Sequence, residues 1–291
     1  MTVLRVLARK WIYVRKAALV KEALKRSLLL ACSLIPPLGR LVYNLEISPD
    51  GVSVGTGDMA RDWDARARRN ARWYIYWDAW KTEEEFDAAG EADVRDVVLK
   101  ELVVEPGARA LEIGCGIGRL VKPMSRRTAE VHGVDISAEM VQQGKERLEG
   151  LTNVQLRVCD GALSAYPAGH FDLCYSIAVF RHLPEKRFVL TYLAEAARVL
   201  KAAGIVRFEV WATGRADRRE QGGTLVGVTF SEVEMRQLLT RLGFEVLEVE
   251  PRPGLPYVIY TARKEQRAGD ETRVLVHWTR TRAESLQRST T

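Results

Sequence analysis

A glycine-rich turn between an apolar segment and a helical pattern has the clearest chemical meaning in this 291-residue sequence. Leu111-Glu112-Ile113 predicts the end of a strand, and Gly114-Cys115-Gly116-Ile117-Gly118 follows it directly. Glycines at alternate positions let the backbone turn sharply and approach a ligand, because no side chain stands in the way. The N–H groups that open the next helix favour a carboxylate or a phosphate. The turn therefore predicts a ligand site where this strand ends.

Acidic residues end the next two predicted strands. Asp135 comes 21 residues after Gly114, where its carboxylate can accept hydrogen bonds from both hydroxyls of a ribose. Asp160-Gly161 closes the third strand, about where an adenine amino group would lie. The spacing G-x-G-x-G, with Glu112 two places ahead, differs from the G-x-G-x-x-G of dinucleotide enzymes. The pattern therefore disfavours a nicotinamide dehydrogenase.

Short apolar segments that alternate with helical patterns predict the elements that position these residues. The predicted strands are 108–113, 130–135, 154–160, 171–177 and 205–211, and the predicted helices are 118–127, 137–149, 185–202 and 231–242. Such alternation builds a doubly wound, mostly parallel α/β sheet with helices on both faces. Residues 244–250 and 257–263 predict a closing hairpin that adds an antiparallel strand. Gly204 and Gly243 are predicted helix stops.

Two predicted helices precede the sheet. The first spans 61–81 and places Trp73, Trp77 and Trp80 on one face. An aromatic stripe of this kind is typical of core packing, and the alternative is a lid or wall over a ligand pocket. Thr82 to Glu85 forms a capping box that opens a second helix through about Leu102.

The two chain ends hold the positive charge. Residues 1–45 carry a net charge of +8 and residues 262–291 carry +3, which leaves −5 for the centre. An acidic centre argues against a nucleic-acid-binding protein, so no nucleic-acid partner is expected. The apolar run 28–35 is too short for a bilayer, which needs about 20 helical residues. The basic arm packs on the main domain or on a second subunit, or it lies on an anionic membrane through residues 1–40.

These patterns divide the chain into five parts. We expect a basic helical arm over 1–45, a linker over 46–60, a helical cap over 61–104, the cofactor domain over 105–263 and a polar tail over 264–291. Within the tail, 274–278 can alternatively dock as a short strand. The cysteines have no metal-ligand spacing and suit reduced core thiols in a cytoplasmic protein, so no metal is expected; they are Cys32, Cys115, Cys159 and Cys174.

Several motifs in a fixed order resemble a known family. They are LEIGCGIGRL (111–120), VHGVDIS (131–137), CDG (159–161), FDLCYSIAVFRHL (171–183), ARVLKAAG (197–204) and GFEVLEVE (243–250). With the helical cap, residues 61–262 resemble bacterial class I S-adenosylmethionine (SAM)-dependent methyltransferases that act on small molecules. Relatives usually have Leu-Lys-Pro-Gly-Gly where this chain has Leu200-Lys201-Ala202-Ala203-Gly204. The resemblance implies a seven-stranded sheet whose last strand is antiparallel.

The resemblance also implies SAM as the cofactor, S-adenosylhomocysteine (SAH) as the product, and a set of binding residues. The glycine turn would hold the methionine moiety, Glu112 would orient the turn or the amino group, and Asp135 would bind the ribose. Ile136 would lie against the adenine. The implied cofactor residues are Glu112, Gly114, Cys115, Gly116, Gly118, Asp135, Ile136, Asp160, Gly161, Ser176 and Ile177. In some relatives, Arg72 and Tyr74 would contact the SAM carboxylate.

The sequence is less specific about the methyl acceptor than about the cofactor. A hydroxyl acceptor must lose its proton to a base, and His182 is the candidate, with a pocket-shaping or helix-capping role as the alternative. The substrate-pocket candidates are Tyr74, Tyr175, Arg181 and Trp211. We expect in-line methyl transfer to a small-molecule hydroxyl or amine. The alternatives are a lipid or other membrane-associated acceptor, which would place the protein at the membrane periphery, and a non-catalytic SAM-binding protein. A homodimer is compatible with the sequence.

Overall fold

The computed structural model describes residues 59–76, 81–159, 161–213, 227–252, 254–266 and 274–278. The predicted arm over 1–45, most of the linker, Trp77, Trp80, Asp160 and most of the tail lie outside these residues. The helices are α1 (Met59–Ile75), α2 (Glu83–Asp93), α3 (Val121–Ser125), α4 (Ala138–Arg147), α5 (Lys186–Val199) and α6 (Glu232–Arg241). The strands are β1 (Leu102–Val104), β2 (Arg109–Ile113), β3 (Glu130–Asp135), β4 (Val154–Val158), β5 (Phe171–Ser176), β6 (Leu200–Ala212), β7 (Thr229–Phe230), β8 (Phe244–Pro251), β9 (Tyr257–Lys264) and β10 (Val276–Trp278).

Seven of the strands form one twisted path in the order β4-β3-β2-β5-β6-β9-β8, and β7 pairs with β6 off this path. Strands β2 to β6 run parallel to one another, whereas β9 runs antiparallel to both β6 and β8. This arrangement confirms the predicted doubly wound sheet with an antiparallel strand near the chain end. The carboxyl ends of β2, β3 and β5 meet at the point where the strand order reverses, which is where open α/β sheets bind ligands.

The connection between α5 and β6 differs from the prediction. The helix ends at Val199, and β6 begins at Leu200 rather than at residue 205. Ala203 adopts a φ of 60°, and the pairing with β5 shifts between Phe171 and Leu173. Gly204 lies inside the strand, where an added Cβ would stand 2.9 Å from the carbonyl oxygen of Lys201. Gly204 therefore permits a close backbone approach, and the prediction of a helix stop at this position is wrong.

The second predicted helix is shorter than expected. Thr82 accepts a hydrogen bond from the Glu85 backbone as the predicted cap, but α2 ends at Asp93 and a π-helical turn, Val94–Val98, follows. The predicted helix through about Leu102 is therefore too long: the helical turns end at Val98, and Leu102 belongs to β1, which pairs antiparallel with β10. Leu102 and Val276 are both buried in this pair. The alternative of a docked strand at 274–278 is thus confirmed.

Each face of the sheet buries an apolar core. One core contains residues of α5 and α6 and includes Leu111, Phe171 and Phe208, and the other contains residues of α3 and α4 and includes Met124. A third cluster joins α1 to α2 through side chains such as Phe86. No helix within the described ranges has the length and apolar character needed to span a bilayer.

Candidate cofactor-binding site

The glycine-rich turn requires glycine for two separate reasons. Gly114 and Gly116 adopt φ values of 79° and 51°, in the left-handed region that side chains disfavour. An added Cβ would stand 2.4 Å from a Val179 methyl group at Gly114 and 2.7 Å from Ile75 at Gly116. The amides of Gly114 and Cys115 both donate to the Val134 carbonyl, which ties the turn to β3. The backbone of the turn therefore packs directly against the side chains of Val179 and Ile75.

Asp135 at the end of β3 holds the turn from the other side. One carboxylate oxygen accepts a hydrogen bond from the Gly116 amide at 2.8 Å, and the other accepts from the Ser137 amide at 2.9 Å. Burial raises the pKa of Asp135, and these two backbone donors oppose that rise. Each oxygen keeps a further lone pair. Asp135 and its neighbour Ile136 both line the cleft, as the sequence predicts.

A buried carboxyl group and a buried guanidinium flank the turn. Glu112 is 3% exposed, and the Tyr175 hydroxyl donates to its carboxyl group at 3.3 Å. Burial raises the pKa of Glu112 to about 8, although the nearby Arg119 opposes the shift. Arg119 is 4% exposed, pairs with Asp93 at 2.7 Å and lies 4.4 Å from the Tyr76 ring centroid. Within the part of the chain that the structure describes, its Nε has no hydrogen-bond partner.

Arg119 is a site residue that the sequence analysis missed. Both Arg119 and Glu112 line the cleft, so the site presents one buried cation and one buried acid beside the glycine turn. The available signal was the arginine that directly follows the last glycine of the turn. Arg72, which the resemblance offered for the same role, instead pairs with Glu83 at 3.2 Å.

A cleft of about 900 Å³, counting the part open to solvent, joins these groups. Helix α1 forms one wall with Met59, Trp63, Tyr74 and Ile75. Tyr74, a substrate-pocket candidate, thus lines the cleft. Trp73 of the predicted aromatic stripe is not among the lining residues, and the other two tryptophans of the stripe lie outside the described residues. The helix is kinked at Asn70, whose side chain accepts a hydrogen bond from the Trp73 amide.

Helix α1 is fastened to the start of α4. Asp64 accepts hydrogen bonds through one oxygen from the Ser137 hydroxyl at 2.6 Å and from the Glu139 amide at 3.0 Å. Gln143 donates to the Ala67 carbonyl at 3.2 Å. Because Ser137 also binds Asp135, the wall and the carboxylate share one hydrogen-bonded assembly.

The proposed acceptor side is formed by a 3₁₀ turn, Phe180–His182, after β5. His182 is half-buried, lines the cleft, and packs edge to face on Trp63 with ring centroids 5.4 Å apart. Arg181 also lines the cleft, and its guanidinium lies 3.5 Å from a Glu209 oxygen. The structure thus brings His182 and Arg181 to the same cleft as the glycine turn.

Several predicted site residues lie outside the cleft lining. The Ser176 hydroxyl donates to the Ile113 carbonyl at 2.9 Å, and the Trp211 indole donates to the Arg181 carbonyl at 2.7 Å. Both side chains are buried, so they support the wall from behind. Tyr175 is fully buried against Glu112. Gly118 and Gly161 are also outside the lining, whereas Cys115 and Ile177 are part of it.

Residues 110–204 match a protein family described as a methyltransferase domain. This range holds the glycine turn, Asp135 and His182, on the sheet order described above. The match covers about a third of the chain, and the sheet order is that of the class I methyltransferase fold. SAM is the cofactor of this family.

The class I methyltransferase domain has relatives with different acceptors. The chain is 33% identical over 139 residues to the cyclopropane-fatty-acyl-phospholipid synthase of Escherichia coli K12, covering 47% of this chain and 35% of that protein. It is 32% identical over 114 residues to the demethylmenaquinone methyltransferase of Tropheryma whipplei strain Twist, covering 39% and 46%. The chain thus spans about a third to a half of the length of these curated relatives.

A solved structure shares the fold of the methyltransferase domain. It is phosphoethanolamine N-methyltransferase 1 of Haemonchus contortus in complex with phosphoethanolamine and SAH. The TM-score is 0.57 at 19% identity, over 73% of this chain and 49% of that chain. At this identity the likeness shows the fold alone.

The methyltransferase cleft fits SAM on its own chemistry. The glycine turn has no side chains at Gly114 and Gly116, so its backbone can lie close to a ligand, and Asp135 keeps acceptor lone pairs for ribose hydroxyls. Arg119, whose Nε has no hydrogen-bond partner among the described residues, and the buried Glu112 match an amino-acid moiety, which carries one negative and one positive group. Asp160, implied for the adenine, lies outside the described residues.

Proposed function

We propose that the protein transfers a methyl group from SAM to a small-molecule hydroxyl or amine. The observation that carries this proposal is the shared cleft, which joins the glycine turn and Asp135 to His182 and the α1 wall. A site that only bound SAM would not need a side chain capable of acid–base chemistry, such as His182, beside the α1 wall. The protein would act in the cytoplasm.

Three side chains would hold the cofactor. Asp135 would accept hydrogen bonds from the ribose hydroxyls while its bonds to Gly116 and Ser137 keep it oriented. Arg119 would pair with the methionine carboxylate, and Glu112 with the ammonium group. SAM supplies an electrophilic methyl group on a positively charged sulfur. The cleft must align an acceptor with that methyl group, and such alignment alone supplies much of the rate.

His182 would take the proton of the acceptor. Its ring is held by Trp63 on one side, and its Nε2 accepts a long hydrogen bond from the Arg181 Nε–H at 3.4 Å. The acceptor hydroxyl would have to displace this weak contact before Nε2 could take its proton, which is the role that histidine most often has as a general base. Arg181 is itself engaged with Glu209, so its charge is largely balanced.

The acceptor would have an apolar part. Met59, Trp63, Val179 and Leu183 line the cleft near His182. A lipid or another membrane-associated acceptor is the second candidate. It is favoured by the E. coli relative, which is named for a phospholipid substrate, and by the basic arm over residues 1–40. That arm would then hold the protein at the membrane periphery.

Transfer of the tritiated methyl group of SAM to a panel of acceptors tests the proposed function. The panel would contain hydroxyl and amine compounds with apolar groups, and vesicles with anionic phospholipid. We expect product from at least one member, and His182→Gln should lower kcat at least about a hundredfold while SAH affinity is unchanged. His277→Gln, which alters an exposed histidine paired with Glu105, is the matched control.

Two results would contradict these assignments. An unchanged kcat in His182→Gln would remove the base role. SAH binding without transfer to any acceptor would favour the non-catalytic alternative.

A further inference from the structure

Three side chains with metal-binding chemistry meet at the end of the sheet opposite the cleft. Glu130 opens β3, His132 follows two residues later, and His170 directly precedes β5. Each offers a ligand atom, and these atoms all lie within 4.8 Å of one another. Glu130 Oε2 and His132 Nε2 are 3.3 Å apart. The cofactor cleft uses the carboxyl ends of the same strands, so the two places are separate.

The donor set fits a transition metal. Imidazole suits zinc, copper and nickel, and a carboxylate commonly completes such sites. Two histidines and one carboxylate, with an open fourth position, match zinc sites in which water is the last ligand. Glu130 and His170 are half-buried, so solvent reaches the cluster. We propose that Glu130, His132 and His170 bind one zinc ion, or a divalent ion of the same class, outside the cofactor site.

The histidine rings are held in place by their surroundings. His132 is 4% exposed, and its ring packs edge to face on Tyr166, His170 and Phe171, with centroids 5.2 to 5.9 Å apart. Its Nε2 faces Glu130, and its Nδ1 is buried without a hydrogen-bond partner among the described residues. This packing fixes the ring with Nε2 directed toward the other two side chains of the cluster.

Burial acts on both histidine rings in the same direction. It lowers the pKa of His132 and of His170, which favours the neutral form of each. The neutral form is the one that ligates a metal. The nearby His170 also lowers the pKa of His132, because two imidazolium charges would repel one another.

Basic residues near the cluster oppose a cation, and they give the proposal a sharp test. Arg109 Nε lies 3.6 Å from a Glu130 oxygen and competes for that carboxylate. The positive charges of Arg109 and Lys201 also lower the pKa of His170, and that of Arg157 lowers the pKa of His132. The Arg109 side chain is 41% exposed, so its removal should not disturb the core. Replacing it should therefore tighten metal binding.

A bound ion would join two separate strands. His132 lies in β3, and His170 directly precedes β5. These two strands do not pair, because β2 lies between them in the sheet. An ion held by both would fasten the connection before β5, which includes Tyr166. It would stabilise the folded state in proportion to its affinity, because the unfolded chain does not preserve the cluster.

Zinc titration of the full chain, purified without a polyhistidine tag and treated with chelator, tests this site. We expect one zinc ion per chain by calorimetry, a higher Tm with zinc, and tetrahedral absorption bands when cobalt replaces zinc. His170→Gln should weaken zinc binding at least about tenfold. Arg109→Gln should tighten it about two- to fivefold. His277→Gln is the matched control, because it removes an exposed histidine–glutamate pair that belongs to no three-ligand cluster among the described residues.

SAH affinity, measured on the same samples, distinguishes this proposal from the proposed function, since zinc should leave it unchanged. His170→Gln is preferred over a variant of the buried His132, which risks misfolding. Less than one zinc ion per chain, equal affinity in His170→Gln and the unaltered chain, or no tightening in Arg109→Gln would overturn the site.

Discussion

Glu112 is a cleft residue whose protonation the fold controls. Burial raises its pKa to about 8 even though Arg119 lies nearby, so the carboxyl group holds a proton at neutral pH before a ligand binds. Pairing with the cofactor ammonium group requires the ionised form. Binding should therefore release a proton below about pH 8, and affinity should rise as the pH increases toward that value.

The first prediction follows from this linkage. We expect SAH affinity to increase between pH 6.5 and 8.5, with close to one proton released at pH 7. Calorimetry in two buffers of different ionisation enthalpy measures that release. Glu112→Gln should bind more weakly at every pH and lose the dependence, because its amide does not titrate. A flat profile for the unaltered chain would show that Glu112 does not ionise on binding.

At this scale, residue type and spacing predicted part of the site. Asp135, Gly114, Gly116, Glu112 and His182 line the cleft as expected, since strand ends and glycine turns are visible in sequence. The side-chain directions of Ser176 and Trp211 depend on the pleat and the packing behind the wall, which sequence spacing does not determine. His132 and His170 are 38 residues apart, and only the fold brings them together.

At the scale of elements, α1 and its attachment to α4 control access to the cleft. Asp64 of α1 acts as a capping acceptor for α4. Its carboxylate accepts a hydrogen bond from the Glu139 amide in the first turn of α4. Loss of a capping acceptor costs about 1 kcal/mol. The wall residues Trp63 and Tyr74 lie on this same helix, so its docking and the cofactor site are linked.

Asp64→Ala tests this attachment. We expect faster amide hydrogen exchange over residues 59–76 and SAH affinity lower by up to about tenfold, because the wall docks less firmly. Arg68→Gln is the control, since this 59% exposed side chain makes only a 3.7 Å ion pair with Glu139. Exchange in Asp64→Ala equal to that of the control would mean that the apolar contacts of α1 alone hold it.

Elements were predicted best where apolar strands alternate with capped helices. Strand 130–135 matches its predicted bounds, and Ser137 and Ser231 cap α4 and α6. The kink at Asn70 and the short β1–β10 pair depend on contacts distant in sequence. The early start of β6 has the same origin, because Leu200 pairs with Phe171. Local patterns do not encode such contacts.

At the scale of the whole molecule, the sheet separates two kinds of site. Its carboxyl ends carry the cofactor cleft, and its amino ends carry the histidine–glutamate cluster. The central part is acidic and the arm is basic, so contact with an anionic surface would involve the arm rather than the domain. The division into arm, linker, cap, domain and tail stays a prediction, as does homodimer formation.

Calorimetric titration with SAM, SAH and NAD tests the central claim most directly. The samples are the unaltered chain, Asp135→Ala, and Asp96→Ala as a control that removes an exposed aspartate paired with Arg95. Circular dichroism would verify that all three are folded. We predict that the unaltered chain and the control bind SAM and SAH but not NAD. Asp135→Ala should lose about a hundredfold in affinity, since it lacks two charge-assisted hydrogen bonds to the ribose. Folded protein that binds neither adenosyl ligand, or equal SAH affinity in Asp135→Ala, would contradict the account.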